Sequence, residues 1–124
     1  MSDDIAWLHD HQFHHYGSWT PEGRKLQRGE LGRGIPGRYA FVVDGAIRYV
    51  GKAEKHLRGR VRNYNRSLVA NPDRPHRKAH EGIKSTLANG KIVEAYIRSA
   101  GPDENVADLE TMWICELRPI WNGT

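Results

Sequence analysis

The stretch that sets the architecture is Gly37-Arg38-Tyr39-Ala40-Phe41-Val42-Val43-Asp44-Gly45-Ala46-Ile47-Arg48-Tyr49-Val50-Gly51-Lys52-Ala53. Two runs of β-branched and aromatic residues flank Asp44-Gly45, and an Asp-Gly pair in that position is the strongest short-range signal for a β-hairpin. Alternation along a strand puts Arg38 on the opposite face from Tyr39. Which face Tyr49 takes depends on the turn. A two-residue Asp44-Gly45 turn pairs Tyr39 with Val50 and separates the phenols. A three-residue loop, Val43-Asp44-Gly45 with Gly45 in the left-handed region, pairs Tyr39 with Tyr49 and brings them together.

Downstream, Leu57, Val61, Tyr64 and Leu68 recur at spacings of four, three and four, which predicts a helix. Asn71-Pro72 and Arg74-Pro75 interrupt the chain. A second helix is expected from about His76 to Ala88, stopped by Asn89-Gly90. Ile92 to Ile97 alternates as a strand does. After Gly101-Pro102 a last helix is expected from about Asn105 to Leu117, capped by Asn105 and ended before Pro119. The order is β-β-α-α-β-α: an α/β (α+β) domain with a small, mostly antiparallel three-stranded sheet flanked by helices.

Upstream, Ile5, Trp7, Leu8, Phe13 and Tyr16 form a loosely helical pattern. Residues 17–36 hold five glycines and two prolines and read as mostly irregular. Pro21 after Thr20 could open a short helix. Residues 1–36 are therefore taken as an N-terminal extension, helical or irregular, and residues 37–124 as the main domain.

The bulk composition fits one soluble domain. The chain has 124 residues, 38% hydrophobic and 27% charged. No run approaches the ~18 apolar residues of a membrane span, and Met1 to Ile5 is no secretory signal. The single cysteine, Cys115, cannot form an internal disulfide and sits among helical apolar residues, which fits an inert thiol in the cytoplasm. Net charge is +4. Its distribution is uneven: Arg48, Lys52, Lys55, Arg58, Arg60, Arg62 and Arg66 lie close together against Glu54 alone. Asp103, Glu104, Asp108, Glu110 and Glu116 cluster later. A phosphate-binding surface beside a metal-binding carboxylate would have this pattern, as would two solvated helix faces.

Gly37-Arg38-Tyr39 and Tyr49-Val50-Gly51-Lys52-Ala53, with nine residues between the tyrosines, resemble the two-part signature of the GIY-YIG nuclease family. The second half is close, with Val50 for isoleucine. The first departs, with Arg38 where the family usually has an aliphatic residue. Lys52-Ala53, Leu57, Arg60 and Tyr64 resemble the nuclease domains of bacterial excision-repair enzymes, with one extra residue before Leu57. Family restriction endonucleases are similar too. The resemblance spans Gly37 to Asn122, about two thirds of the chain.

The resemblance implies a DNA endonuclease whose catalytic residues are Tyr39, Tyr49, Lys52, Arg60, Tyr64 and Glu110. It needs both phenols in one site, so the three-residue bulged loop is the expected turn. Glu110 would hold one Mg²⁺ (or Mn²⁺) per site. Its place beside the apolar stripe of Trp113, Ile114 and Leu117 makes an uncompensated carboxylate costly; a salt bridge to Arg60 or Lys52 is the other way to compensate it. Asn122 resembles the family's C-terminal asparagine and with Gly51 would support the site, though Asn122 before Gly123 also reads as a turn residue. Tyr39 would be the general base; a free phenol ionises near ~10, so that role needs cationic neighbours. Arg48, Lys55, Arg58, Arg62 and Arg66 would bind the DNA backbone. Double-stranded DNA is the expected partner, with no organic cofactor and no membrane. One site cuts one strand, so duplex cleavage calls for a homodimer or two successive nicks. The i, i+4 pairs His11/His15 and His76/His80 lack an evident third ligand and read as surface or DNA-facing rather than zinc-binding. A catalytically inactive nucleic-acid-binding module of the same fold is the alternative.

Overall fold

The computed structural model describes residues 4–26, 35–53, 57, 61, 77–99, 113, 117 and 119–122. The order is helix α1 (Asp4–Asp10), strands β1 (His14–Thr20), β2 (Gly23–Leu26), β3 (Gly37–Val43) and β4 (Ala46–Ala53), helix α2 (Arg77–Ala88), strand β5 (Val93–Ser99) and a 3-10 turn, Ile120–Asn122. Leu57, Val61, Trp113 and Leu117 are also helical. The fold is α+β, with one antiparallel sheet in the order β2-β1-β5-β3-β4. No helix among the described residues is long and apolar enough to cross a membrane.

The sheet has five strands rather than the three expected. The two additional strands come from residues read as helical or irregular. Helix α1 stops where no glycine or asparagine marks a stop. Gln12 takes a left-handed conformation (φ 66°). Its N–H donates to the His9 carbonyl, and the Phe13 N–H donates to the Leu8 carbonyl at 2.8 Å. This is a Schellman cap with glutamine in the place glycine usually fills. Phe13 and Leu8 then meet in the core, as such caps favour. Beyond it, the residues of β1 cover the edge of β5 that β3 leaves open, and pairing that edge outweighs local spacing. Pro21 starts no helix; it lies in the turn between Thr20 and Gly23, which are paired.

Helix α2 and β5 lie within two residues of the expected bounds. The Gly90 N–H donates to Leu87 and the Lys91 N–H to Thr86, a second Schellman cap that makes Asn89-Gly90 a stop.

Both faces of the sheet are covered. One carries Tyr16, Trp19, Tyr39, Phe41, Val43, Tyr49, Ala95 and Ile97 under Leu57, Val61 and the Ala79/Ile83 stripe of α2. The other carries Ala40, Val42, Ile47, Val50 and Tyr96 under Leu8, Phe13 and Trp113. Strand β3 lies between β5 and β4, and all seven of its residues are buried. Burying a side chain such as Phe41 contributes on the order of 2–3 kcal/mol, so the hairpin is anchored from both sides.

Candidate active site

The β3–β4 turn differs from the expected three-residue loop. Val43 pairs with Ala46, so Asp44-Gly45 is a two-residue turn. Both residues have positive φ, 52° and 79°, the type I′ geometry whose twist suits a hairpin. The phenols nevertheless share a face, for a different reason. The ladder shifts between Phe41 and Val42, so that Val42 pairs with Ile47 but Phe41 pairs with Tyr49. Arg48 is the extra residue of a bulge in β4. Tyr39 consequently faces Gly51, two residues beyond the Tyr49 expected.

The result is a run of aromatic rings on one face. Tyr39 and Tyr49 have ring centroids 6.0 Å apart. Phe41 lies 5.3 Å from Tyr39 and 5.7 Å from Tyr49, stacked on the latter. Tyr39 is fully buried and Tyr49 nearly so. Gly51 has a steric role: a Cβ at that position would run into the Tyr39 ring. Only a residue without a side chain lets the phenol lie across the neighbouring strand.

Asn122 holds the outer edge of the same strand. The Val50 N–H donates to Asn122 Oδ1 and Asn122 Nδ2 donates to the Val50 carbonyl, both at 2.9 Å. The side-chain amide satisfies both groups that an edge strand otherwise leaves open, at the residue between Tyr49 and Gly51. Beside it Trp121 packs against the phenol-side cluster, seated on α2 where a Cβ on Gly82 would strike it.

The register places Lys52 elsewhere. Lys52 pairs with Arg38, and Arg38 pairs with Arg98, so these three cations form a row across the sheet on the face opposite the phenols. Arg38 is fully buried. Its guanidinium lies 5.0 Å from the centre of the Trp113 ring, and that of Arg98 lies 5.5 Å from the same ring. Arg98 also donates to the His11 carbonyl at 3.1 Å. The departure of Arg38 from the family pattern thus falls on the far side of the sheet. Arg48, half-buried, occupies the bulge itself. Arg60, Tyr64 and Glu110, the basic residues Lys55, Arg58, Arg62 and Arg66, and Cys115 lie outside the described residues.

Two nearby groups were not evident from the sequence. Tyr16 is the extra residue of a second bulge, in β1 between His15 and Gly17. Its buried phenol joins the Tyr39 cluster, and its hydroxyl finds no hydrogen-bond partner among the described residues. Asp4, in the first turn of α1, accepts the Ile47 N–H at 2.7 Å. Neither had a signal: Tyr16 lay in an apparently helical pattern, and Asp4 in a polar N-terminus. On the opposite face, burial, with Glu94 as a second cause, raises the pKa of Tyr96. His9 and His15 contact the Tyr96 ring edge-on.

No family model and no curated protein matches the chain at the level of sequence. Solved structures do. EndoII of bacteriophage T4, as a glutamate-to-alanine mutant, is 20% identical with a TM-score of 0.70, over 98% of this chain and 99% of that one. The GIY-YIG N-terminal endonuclease domain of UvrC from Thermotoga maritima, as a tyrosine-to-phenylalanine mutant bound to its catalytic divalent cation, is 23% identical with a TM-score of 0.53, over 76% and 89%. The restriction endonuclease HPY188I in complex with product DNA is 16% identical with a TM-score of 0.50, over 92% and 76%. Identities this low speak to architecture alone, and that architecture is the fold seen in the GIY-YIG endonuclease domain.

Proposed function

We propose that this chain is a metal-dependent DNA endonuclease that hydrolyses phosphodiester bonds with a tyrosine general base. The observation that carries the reading is the shared face of Tyr39 and Tyr49, set by the Arg48 bulge and backed by Gly51. Further support comes from the structural neighbours, one holding a catalytic divalent cation and one holding product DNA.

In this reading Tyr39 takes a proton from the attacking water. Tyr49 and Tyr64 orient the water and the scissile phosphate by hydrogen bonds. Arg60 stabilises the pentacovalent oxyanion, a task suited to a forked guanidinium, and its charge favours the phenolate form of Tyr39. Lys52 serves the cation row with Arg38 and Arg98, and contributes positive potential from behind the sheet. Arg48, Lys55, Arg58, Arg62 and Arg66 track the DNA backbone. Asn122 and Gly51 are positioning residues for the phenols.

Among the described residues no three His, Cys, Asp or Glu side chains converge on a metal site. The resemblance supplies Glu110 as the metal ligand, and a single carboxylate with water and phosphate oxygens suits Mg²⁺ or Mn²⁺, ions that keep much of their hydration. Once bound, such an ion supplies Lewis acidity at the scissile phosphate. Residues 1–36 and the insert 65–77 are the segments available for sequence reading, and a homodimer would allow both strands to be cut.

The test is plasmid nicking with Mg²⁺, wild type against Glu110→Ala. Wild type should nick, and Glu110→Ala should lose activity by at least about 100-fold while still shifting the plasmid in a gel. Binding of both proteins should weaken steeply with salt. If wild type shifts the plasmid but leaves it intact, the chain is a binding module that keeps the fold.

A further inference from the structure

We propose that Arg48 is a further residue of the candidate active site, holding the same phosphate as Tyr49. The inference rests on the proposed nuclease function and assigns to Arg48 one particular phosphate of the DNA backbone. Successive residues of a regular strand point to opposite faces. Ala46 lies opposite Val43 on the phenol face, and Ile47 lies opposite Val42 on the other. Arg48 therefore returns to the phenol face. Tyr49, the next residue, lies on the phenol face as well. The bulge makes this possible: Phe41 pairs with Tyr49, Arg48 is the step left over, and such a step re-aims a side chain.

Two consecutive residues thus rise from one face, on Cα atoms only ~3.8 Å apart. Arg48 offers a fork of N–H donors and Tyr49 an O–H. Donors so close together suit the oxygens of one phosphate, and the guanidinium brings charge assistance. Tyr49 is 7% exposed, whereas Arg48 is half-buried on the edge strand. The surroundings favour an anion from outside. Across the sheet, Trp113 answers Arg38 and Arg98. Arg48 has no hydrogen-bond or ion-pair partner among the described residues. Asp4, which reaches the neighbouring residue, accepts the Ile47 N–H. A half-buried guanidinium has given up part of its hydration, and a phosphate oxygen would replace it. The competing role is packing: an arginine stem covers neighbouring rings while its head stays in water.

The full chain is compared as wild type, Arg48→Met and Arg48→Lys. Methionine keeps an apolar stem without charge; lysine keeps the charge without the fork. In single-turnover plasmid nicking with Mg²⁺, Arg48→Met should cut at least about tenfold more slowly at saturating protein. Arg48→Lys should recover DNA affinity but not the full rate, because an ammonium cannot bind two oxygens in a fixed fork. Nicking by Arg48→Met at the wild-type rate would overturn the proposal in favour of packing. Weaker binding with an unchanged saturated rate would overturn it too, since Arg48 would then touch the backbone away from Tyr49.

A second readout needs no cutting. A short DNA duplex of mixed sequence is titrated into the protein without metal, and the Arg48 Nε–H and Tyr49 ring signals are followed by NMR. Both should shift together in wild type, and the Tyr49 shift should shrink in Arg48→Met. An Arg48 signal that the duplex leaves unmoved would overturn the proposal even if Arg48→Met failed to fold. So would an equal Tyr49 shift in both proteins. Should wild type bind the duplex with both signals moving yet never nick, the nuclease reading falls while the shared phosphate contact stands.

Discussion

The two faces of the β3–β4 hairpin are built from alternate residues of the same strands yet have opposite chemistry. One gathers phenols and rings: Tyr39, Phe41 and Tyr49, with Tyr16 and Trp19 nearby. The other aligns three cations, Lys52, Arg38 and Arg98, in one cross-strand row. Like charges placed directly opposite one another repel. Trp113 answers this by presenting its ring to both guanidinium groups, and cation–π attraction strengthens when the cation is desolvated, as Arg38 is. The contrast shows how a strand pair can seat a buried cation on one face without touching the rings on the other. Arg38 finds its own aromatic partner in Trp113, while the neighbours facing the other way pack among themselves.

This division of labour can be broken or sharpened by substitution. The largest effect is expected at Tyr39. Tyr39→Phe removes only a hydroxyl, so nicking should fall by about 10²–10⁴-fold, the range for loss of a general base, with folding little changed. A variant that nicks at the wild-type rate would reduce the phenol face to packing. Next is Trp113→Ala, which removes the shared partner of Arg38 and Arg98 together with a large core side chain. It should cost about 3–5 kcal/mol in urea unfolding; a cost below about 1 kcal/mol would mean the cation row is held by other groups. The smallest effect, and one of opposite sign, is expected at Tyr16. Its buried hydroxyl finds no hydrogen-bond partner among the described residues, so Tyr16→Phe should leave stability unchanged or raise it by up to about 1 kcal/mol. A clear loss in calorimetry would show that the hydroxyl is satisfied in solution.

Much of the architecture was legible because it depends on local chemistry. Asp44-Gly45 forms a turn since both positions require positive φ. Helix α2 ends at Asn89-Gly90 because glycine there closes a Schellman cap. Strand β5 alternates because both its faces pack. What was not legible has equally specific causes. Helix α1 ends at Gln12, a residue that rarely marks a stop, so β1 was hidden behind an apparent helical pattern. The candidate site follows the same division: the phenols were recognisable by spacing, whereas Lys52 was placed with them although the register puts it on the opposite face.

The sequence by itself determined that a hairpin forms here, that its two strands alternate, and that Arg38 faces away from Tyr39. It could not determine that Tyr39 and Tyr49 face the same way. That relation turns on a one-residue slip at Arg48, and local propensity barely distinguishes the two registers. Tertiary structure decided it. The Val50 N–H and carbonyl, which face the open edge of the sheet in the observed register and not in the unbroken one, are held by Asn122 from 72 residues away, and a hydrogen bond to a distant side chain leaves no trace in the pattern of neighbouring residues.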